Sequence, residues 1–168
     1  MDYFIADTHF GDSNIIAYEN RPFADCAEME EELIKRWNNV VAPEDTVYLL
    51  GDFSALNMEE NKKILTKLNG RKILIMGNHD DRFTPDQWRE QGFAECSEWP
   101  ILYAGFYLLS HEPLYVNTNM PYANVFGHVH NNPIYRDSSP QSICVSAERI
   151  DYTPISADEM KKRILEAK

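Results

Sequence analysis

Short runs of apolar and β-branched residues alternate with stretches of helical periodicity along the chain, and this alternation limits the fold more than any other feature. Residues 3–6, 46–50, 72–76, 106–109, 124–126 and 142–145 read as short strands. Between the first two, residues 24–41 predict a helix with Met29, Leu33, Trp37 and Val40 on one face, and Asp25 followed by Glu28 resembles a capping box. A second helix opens at Asn57, carries Ile64, Leu65 and Leu68, and stops near Gly70. Thr84, Pro85 and Gln87 give a third its cap and first turn. Ser156 and Glu159 start a C-terminal helix with Met160, Ile164 and Leu165 on its apolar side. No repeat, low-complexity tract or linker interrupts the pattern. The expectation is a single α/β domain over residues 1–168.

Five of these strands run into polar clusters. The first ends in Asp7-Thr8-His9 and the second in Gly51-Asp52. The third ends in Gly77-Asn78-His79-Asp80, the fourth in Ser110-His111, and the fifth in Gly127-His128-Val129-His130. All five histidines of the chain lie in these clusters. Asp and Asn beside Gly usually form turns, so one cluster alone would say little. Five in succession at the carboxyl ends of strands, where open α/β sheets assemble their sites, point to one shared site.

Composition narrows the partners. The formal charge is −11 and no Lys/Arg cluster stands out, which argues against a protein that grips extended nucleic acid. No run approaches the roughly 18 apolar residues of a membrane span. Cys26, Cys96 and Cys144 are scattered and odd in number, and MDYFIADTHF is no export signal; a reduced, cytoplasmic setting is expected.

The order D-x-H, GD, GNHD, a lone His, then GHxH resembles the calcineurin-like metallophosphoesterases, over Asp7 to His130. The stretches DTHFG, RPF, WNNVV and TVYLLGDF are similar to small single-domain members from bacteria and phages. The resemblance implies a four-layer α/β/β/α sandwich with two central mixed sheets. It also implies two divalent metal ions, with Asp7, His9 and His130 on one, Asn78, His111 and His128 on the other, and Asp52 bridging. Oxygen and imidazole donors without thiolate suit Mn, Fe, Zn or Ni, with Mn the first choice. Such a pair polarises phosphoryl oxygens and acidifies water. His79, beside ligand Asn78 but not itself a ligand, is the candidate general acid.

Departures from the family refine the expected substrate. The GDxxDR motif of its protein phosphatases is replaced by Gly51-Asp52-Phe53-Ser54-Ala55-Leu56, which lacks the second Asp and the Arg. Asp80 is then the remaining candidate to orient His79. Asp12 stands where close relatives often have His, and Asn14 and Arg21 are candidate phosphate donors, Arg21 equally readable as a salt-bridge residue. Phe23, Tyr115, Tyr122 and Tyr135 flank the motifs and could stack on a base. The expected activity is hydrolysis of a small phosphate ester, first of all a phosphodiester, with a nucleotide among the candidates. Phosphomonoesterase or pyrophosphatase activity at the same site is the alternative, and a non-enzymatic metal-binding scaffold a further one.

Overall fold

The structure, a computed structural model, describes residues 1–167. In chain order its elements are β1 (Asp2–Ile5), α1 (Ser13–Tyr18), α2 (Cys26–Val40), β2 (Thr46–Leu49), α3 (Met58–Lys67), β3 (Arg71–Ile75), α4 (Pro85–Gln91) and β4 (Glu95–Ser97). There follow β5 (Ile101–Tyr103), β6 (Tyr107–Leu109), β7 (Ala123–Phe126), β8 (Ser138–Ser139), β9 (Ser142–Cys144), a 3-10 turn (Ala147–Ile150), β10 (Ile155–Ser156) and α5 (Ala157–Glu166).

Two five-stranded mixed sheets result, as the sequence led us to expect. The first has the order β10-β1-β2-β3-β4, with β1 to β4 parallel and β10 antiparallel. The second has the order β5-β6-β7-β9-β8, parallel at its centre with an antiparallel strand at each edge. Each edge strand is only two or three residues long, which limits the unpaired backbone offered to another chain. Because β1 to β4 add in one direction through helical crossovers of one hand, α2, α3 and α4 fall on the same face of their sheet. Helix α5 packs across the joint, against β1 and β10 of one sheet and β8 and β9 of the other. No helix among the described residues is long and apolar enough to cross a membrane.

The core joins Phe4, Leu49 and Leu74 of the first sheet to Leu109, Val125 and Ile143 of the second, and to Met29, Leu33 and Trp37 of α2. Truncating one of these, such as Leu33→Ala, costs about 2–5 kcal/mol. Helix starts follow the predicted caps. Asn57 and Glu60 form a reciprocal capping box, as do Thr84 and Gln87, and Ser156 accepts from the Glu159 N–H. At α2 the box is half formed: Asp25 accepts from the Glu28 N–H, while the Glu28 carboxylate reaches back to Ala24.

Some expectations need correction. Val40 and Leu165, assigned to apolar helix faces, are 37% and 84% exposed, each in the last turn of its helix where the packed face has run out. Strands β4, β5, β8 and β10 and the six-residue α1 were not anticipated. All are too short for periodicity to register, and the strands depend on partners distant in sequence.

The sheets meet near the carboxyl ends of their central strands. The Ala6 N–H donates to the Val145 carbonyl at 2.9 Å, and the Ala147 N–H donates back to the Ala6 carbonyl at 3.0 Å. The turn after β1 is therefore stitched to the end of β9, and the polar clusters of both sheets face one another.

Candidate metal centre

The turns carrying the clusters are unusual in backbone conformation. Asp7, His9, Asp52, His128 and His130 all have positive φ, at 58°, 49°, 55°, 68° and 44°. A non-glycine residue held there costs on the order of 1–3 kcal/mol, and such strain gathers at functional sites. The surrounding hydrogen bonds hold it: the Asp7 N–H donates to the Gly51 carbonyl and the His9 N–H to the Asp52 carbonyl, each at 3.0 Å. The His128 N–H donates to the Asp7 carboxylate at 2.9 Å. Two glycines make room for the candidate donors. A Cβ on Gly77 would lie 2.4 Å from Asp52 Oδ1, and one on Gly127 would lie 2.7 Å from Asp7 Oδ2.

Two groups of donor atoms form. Asp7, His9 and His130 bring one donor atom each to within 4.8 Å of the others, and Asp52, His111 and His128 do the same. Asn78 joins the second group, its Oδ1 lying 3.0 Å from both His111 Nε2 and His128 Nδ1. Asp52 Oδ2 lies 3.4 Å from His111 Nε2 and 3.6 Å from His9 Nε2, so one carboxylate oxygen stands between the groups. A further group, Glu19, His130 and Glu148, shares His130 with the first.

These residues fit divalent cations. His111 Nδ1 lies 2.8 Å from the Leu50 carbonyl and must be its protonated nitrogen, which turns Nε2 toward the centre. That nitrogen, Asn78 Oδ1, His128 Nδ1 and Asp52 Oδ2 are lone-pair donors crowded on one place, an arrangement that needs positive charge among them. His9 Nε2 is buried without any hydrogen-bond partner, as a nitrogen reserved for a cation would be.

The electrostatics agree. Burial raises the Asp7 carboxyl to about 6, against the pull of His130 and His111. Burial also works to raise Asp52, but the hydrogen bond and charge of His111 hold it down to about 2. Burial lowers His9 to about 4. His111 goes the other way: burial opposes its charge, yet Asp52 and Asp7 lift it to about 9. Nearby carboxylates thus favour positive charge on His111 and His130, whereas burial works against it on His9 and His128. A bound cation would supply that charge and displace the protons.

Behind the donors lies a second layer of charged residues. Glu148 Oε1 lies 3.1 Å from His130 Nδ1 and pairs with Arg21 Nη2 at 2.6 Å. Arg21 also donates to the Asp7 and Thr8 carbonyls at 2.6 and 2.9 Å. Asp80 Oδ2 accepts from the Asp52 and Gly77 N–H groups at 2.7 and 2.9 Å, and Oδ1 from the Phe53 N–H at 3.0 Å.

All seven sequence-assigned ligands come together, with the His79 ring 5.3 Å from that of His9. Other expectations change. Arg21 is buried with its guanidinium committed to Glu148 and two carbonyls, which leaves it a structural task and not a phosphate grip. Asp80 is occupied with three backbone amides and does not orient the exposed His79 ring. Asn14 sits exposed in α1, its N–H on the Asp12 carboxylate; Asp12 also approaches His9 Nδ1 at 3.6 Å. Phe23 is buried against Tyr152 and unavailable to a base, and Tyr122 is half-buried. Tyr115 and Tyr135, with Leu114 and Phe126, line a cleft of about 340 Å³. Sequence reasoning missed Glu148, which has no motif around it: only its position in space marks it.

The sequence model of the calcineurin-like phosphoesterases matches residues 3–163. The chain is 38% identical to the uncharacterized protein MJ1445 of Methanocaldococcus jannaschii, over 99% of this chain and 92% of that one. It is 36% identical to the Gene 66 protein of Mycobacterium phage L5 over 46% of this chain and 39% of the phage protein. The crystal structure of AQ665 from Aquifex aeolicus, a protein of unknown function, superposes with a TM-score of 0.75 at 32% identity, covering 96% of this chain and 98% of that one.

Proposed function

Because the chain belongs to the calcineurin-like phosphoesterase family, a family of metal-dependent phosphoesterases, we propose that it hydrolyses small phosphodiesters with two divalent ions, manganese first among them. The observation that carries this reading is Asp52 Oδ2, placed 3.4 Å from His111 Nε2 and 3.6 Å from His9 Nε2, where one carboxylate can serve both donor groups. Asp7, His9 and His130 would hold one ion, Asn78, His111 and His128 the other, with Asp52 between them. Bound there, the ions supply Lewis acidity toward the phosphoryl oxygens and an acidified water near neutral pH.

The chain's own residues account for the remaining work. His79 is exposed beside His9, and its backbone N–H donates to Asp52 Oδ1 at 2.9 Å, which fixes where the ring leaves the backbone. Its imidazole is free to hand a proton to the departing alkoxide. A dianionic monoester asks for more positive charge than a monoanionic diester, and Arg21 cannot supply it while its guanidinium is committed to Glu148 and two carbonyls. The absence of the Asp and Arg of GDxxDR points the same way. The cleft lined by Tyr115 and Tyr135 favours a substrate that carries an aromatic group, such as the base of a nucleotide. Three unpaired cysteines suit work in the cytoplasm.

Rates on an aryl phosphodiester and the matching monoester, both in Mn²⁺, test the proposal. The diester should be the faster substrate, and phosphoserine peptides should release no phosphate. A faster monoester would make the protein a phosphomonoesterase. Rapid release of phosphate from the peptides would overturn the reading, and metal binding without turnover on a broad phosphoester panel would leave only a scaffold.

A further inference from the structure

We propose that Glu148, anchored by Arg21, is a positioning residue that fixes His130 as a metal ligand and sets the cation affinity of the Asp7–His9–His130 half of the centre. The inference rests on the metal-dependent reading above and goes beyond its ligand set.

The Arg21 and Glu148 side chains are 0% and 1% exposed, so their ion pair lies wholly out of water. Arg21 Nε and Nη2 both donate to Glu148 Oε1, at 2.9 and 2.6 Å. The same oxygen lies 3.1 Å from His130 Nδ1. The guanidinium also donates to the carbonyls of Asp7 and Thr8 and to Met29 Sδ, and lies over the Tyr152 ring. One buried pair thus touches both chain segments that furnish this half: the turn holding Asp7 and His9, and the turn holding His130.

Stability does not explain such a pair. Taking two charges out of water costs about as much as their attraction returns, and apolar residues of similar volume often serve the fold as well. What the pair adds is a fixed acceptor for His130 Nδ1–H. That bond selects the tautomer whose Nε2 lone pair is available, orients the ring, and makes the nitrogen a stronger donor. His130 Nε2 lies on the side of Asp7, 4.0 Å from Oδ1. The other half is built differently. His111 Nδ1 is backed by the neutral Leu50 carbonyl, and His128 turns Nδ1 itself toward Asn78 and His111. Among the described residues, His130 is the only assigned imidazole whose outward nitrogen hydrogen-bonds a carboxylate not itself assigned as a ligand, Asp12 standing at 3.6 Å from His9 Nδ1.

A competing arrangement would make Glu148 itself a ligand, since Glu19, His130 and Glu148 can also gather around a cation. The Arg21 charge on Glu148 Oε1 opposes that and His130 Nδ1 is already engaged there, while Glu148 Oε2 is buried without a hydrogen-bond partner, so the metal stoichiometry decides between the two arrangements.

Mn²⁺ titrations of the full chain, followed by calorimetry and by electron paramagnetic resonance, test the proposal. The wild type should bind two equivalents and show a coupled pair at saturation. Glu148→Gln should bind one equivalent 10–100-fold more weakly, the other with little change, and should show the mononuclear six-line signal at intermediate Mn²⁺. Because Glu148→Gln leaves a buried Arg21 unpaired, Arg21→Met combined with Glu148→Gln provides a variant that keeps its fold, checked by circular dichroism. If Glu148 sets the affinity, this double variant should melt within a few degrees of the wild type yet retain the weakened equivalent. Wild-type affinity in the double variant would overturn the proposal, reducing the pair to packing. A third equivalent in the wild type that disappears in Glu19→Gln would also overturn it, making Glu148 a ligand. If the wild type binds no divalent cation, the metal-dependent reading falls and takes this one with it. Two wild-type equivalents with unaltered affinity in Glu148→Gln would sink only the positioning role.

Discussion

The Asp7–His9–His130 half of the centre is backed by a buried ion pair between side chains, Arg21 and Glu148, whereas the half at Asp52, Asn78, His111 and His128 is backed by a buried carboxylate on backbone amides. In the first, the partners are 127 residues apart and reach the donors through side-chain atoms. In the second, Asp80 accepts from Asp52, Phe53 and Gly77, tying the turns after two adjacent parallel strands, β2 and β3. Burial raises the Asp80 carboxyl to about 6 while the amide bonds pull against it, and the Trp88 indole donates to its carbonyl at 3.0 Å. The difference teaches that in one half the turns carrying Asp52 and Asn78 are fixed by backbone contacts within a single sheet, with His111 and His128 supplied by the second sheet. The other depends on packing between segments that only the complete fold unites.

The largest effect should come from the residue common to both halves. Asp52→Asn keeps the size but removes the charge and one strong oxygen donor, so metal should be depleted from both halves and activity should fall about 10³-fold or more. Two full equivalents of metal in the purified variant, measured by elemental analysis, would break the bridging assignment.

His79 lies outside both halves as a donor, and its substitution should separate proton transfer from metal binding. His79→Asn should retain both metals, while kcat on a poor, alkyl-type leaving group drops about 10²–10⁴-fold. On a nitrophenyl ester the loss should be much smaller, because that oxyanion leaves with little protonation. Equal losses on the two substrates would remove the general-acid role, and parallel loss of metal would turn His79 into a ligand.

Thermal unfolding compares the two supports directly. Asp80→Ala strands three buried N–H groups at about 1–3 kcal/mol each before relaxation, which predicts a fall in Tm on the order of 10 °C. Arg21→Met with Glu148→Gln removes both charges together and should cost only a few degrees. Similar losses in the two would mean that the ion pair is as much a structural support as the carboxylate.

The smallest effect is expected at Asn14. It is exposed at the start of α1, and Asn14→Ala should change KM less than about threefold, as surface substitutions away from special features do. A tenfold rise in KM at unchanged kcat would return Asn14 to the substrate site and show that the loop after β1 closes on the phosphate.

What the sequence determined by itself is what short-range chemistry controls. Alternation of strand and helix signals, caps at Asn57, Thr84 and Ser156, and a Gly before a polar cluster are written within a few neighbouring residues, so the α/β class and the five clusters were legible before any coordinates, and the family resemblance then singled out the seven residues that gather. Long-range partnership is a different matter. Strands β8 and β10 have two residues each and exist because β9 and β1 lie beside them. Arg21 reads equally as a phosphate donor or a salt-bridge residue until the fold brings Glu148 to it across 127 residues. Asp80 reads as a partner for its neighbour His79, yet its side chain turns inward to the amides of Asp52, Phe53 and Gly77. The tertiary structure decided these cases. A buried charge takes whichever partner lies within hydrogen-bond reach in three dimensions, and adjacency along the chain neither guarantees nor forbids that contact.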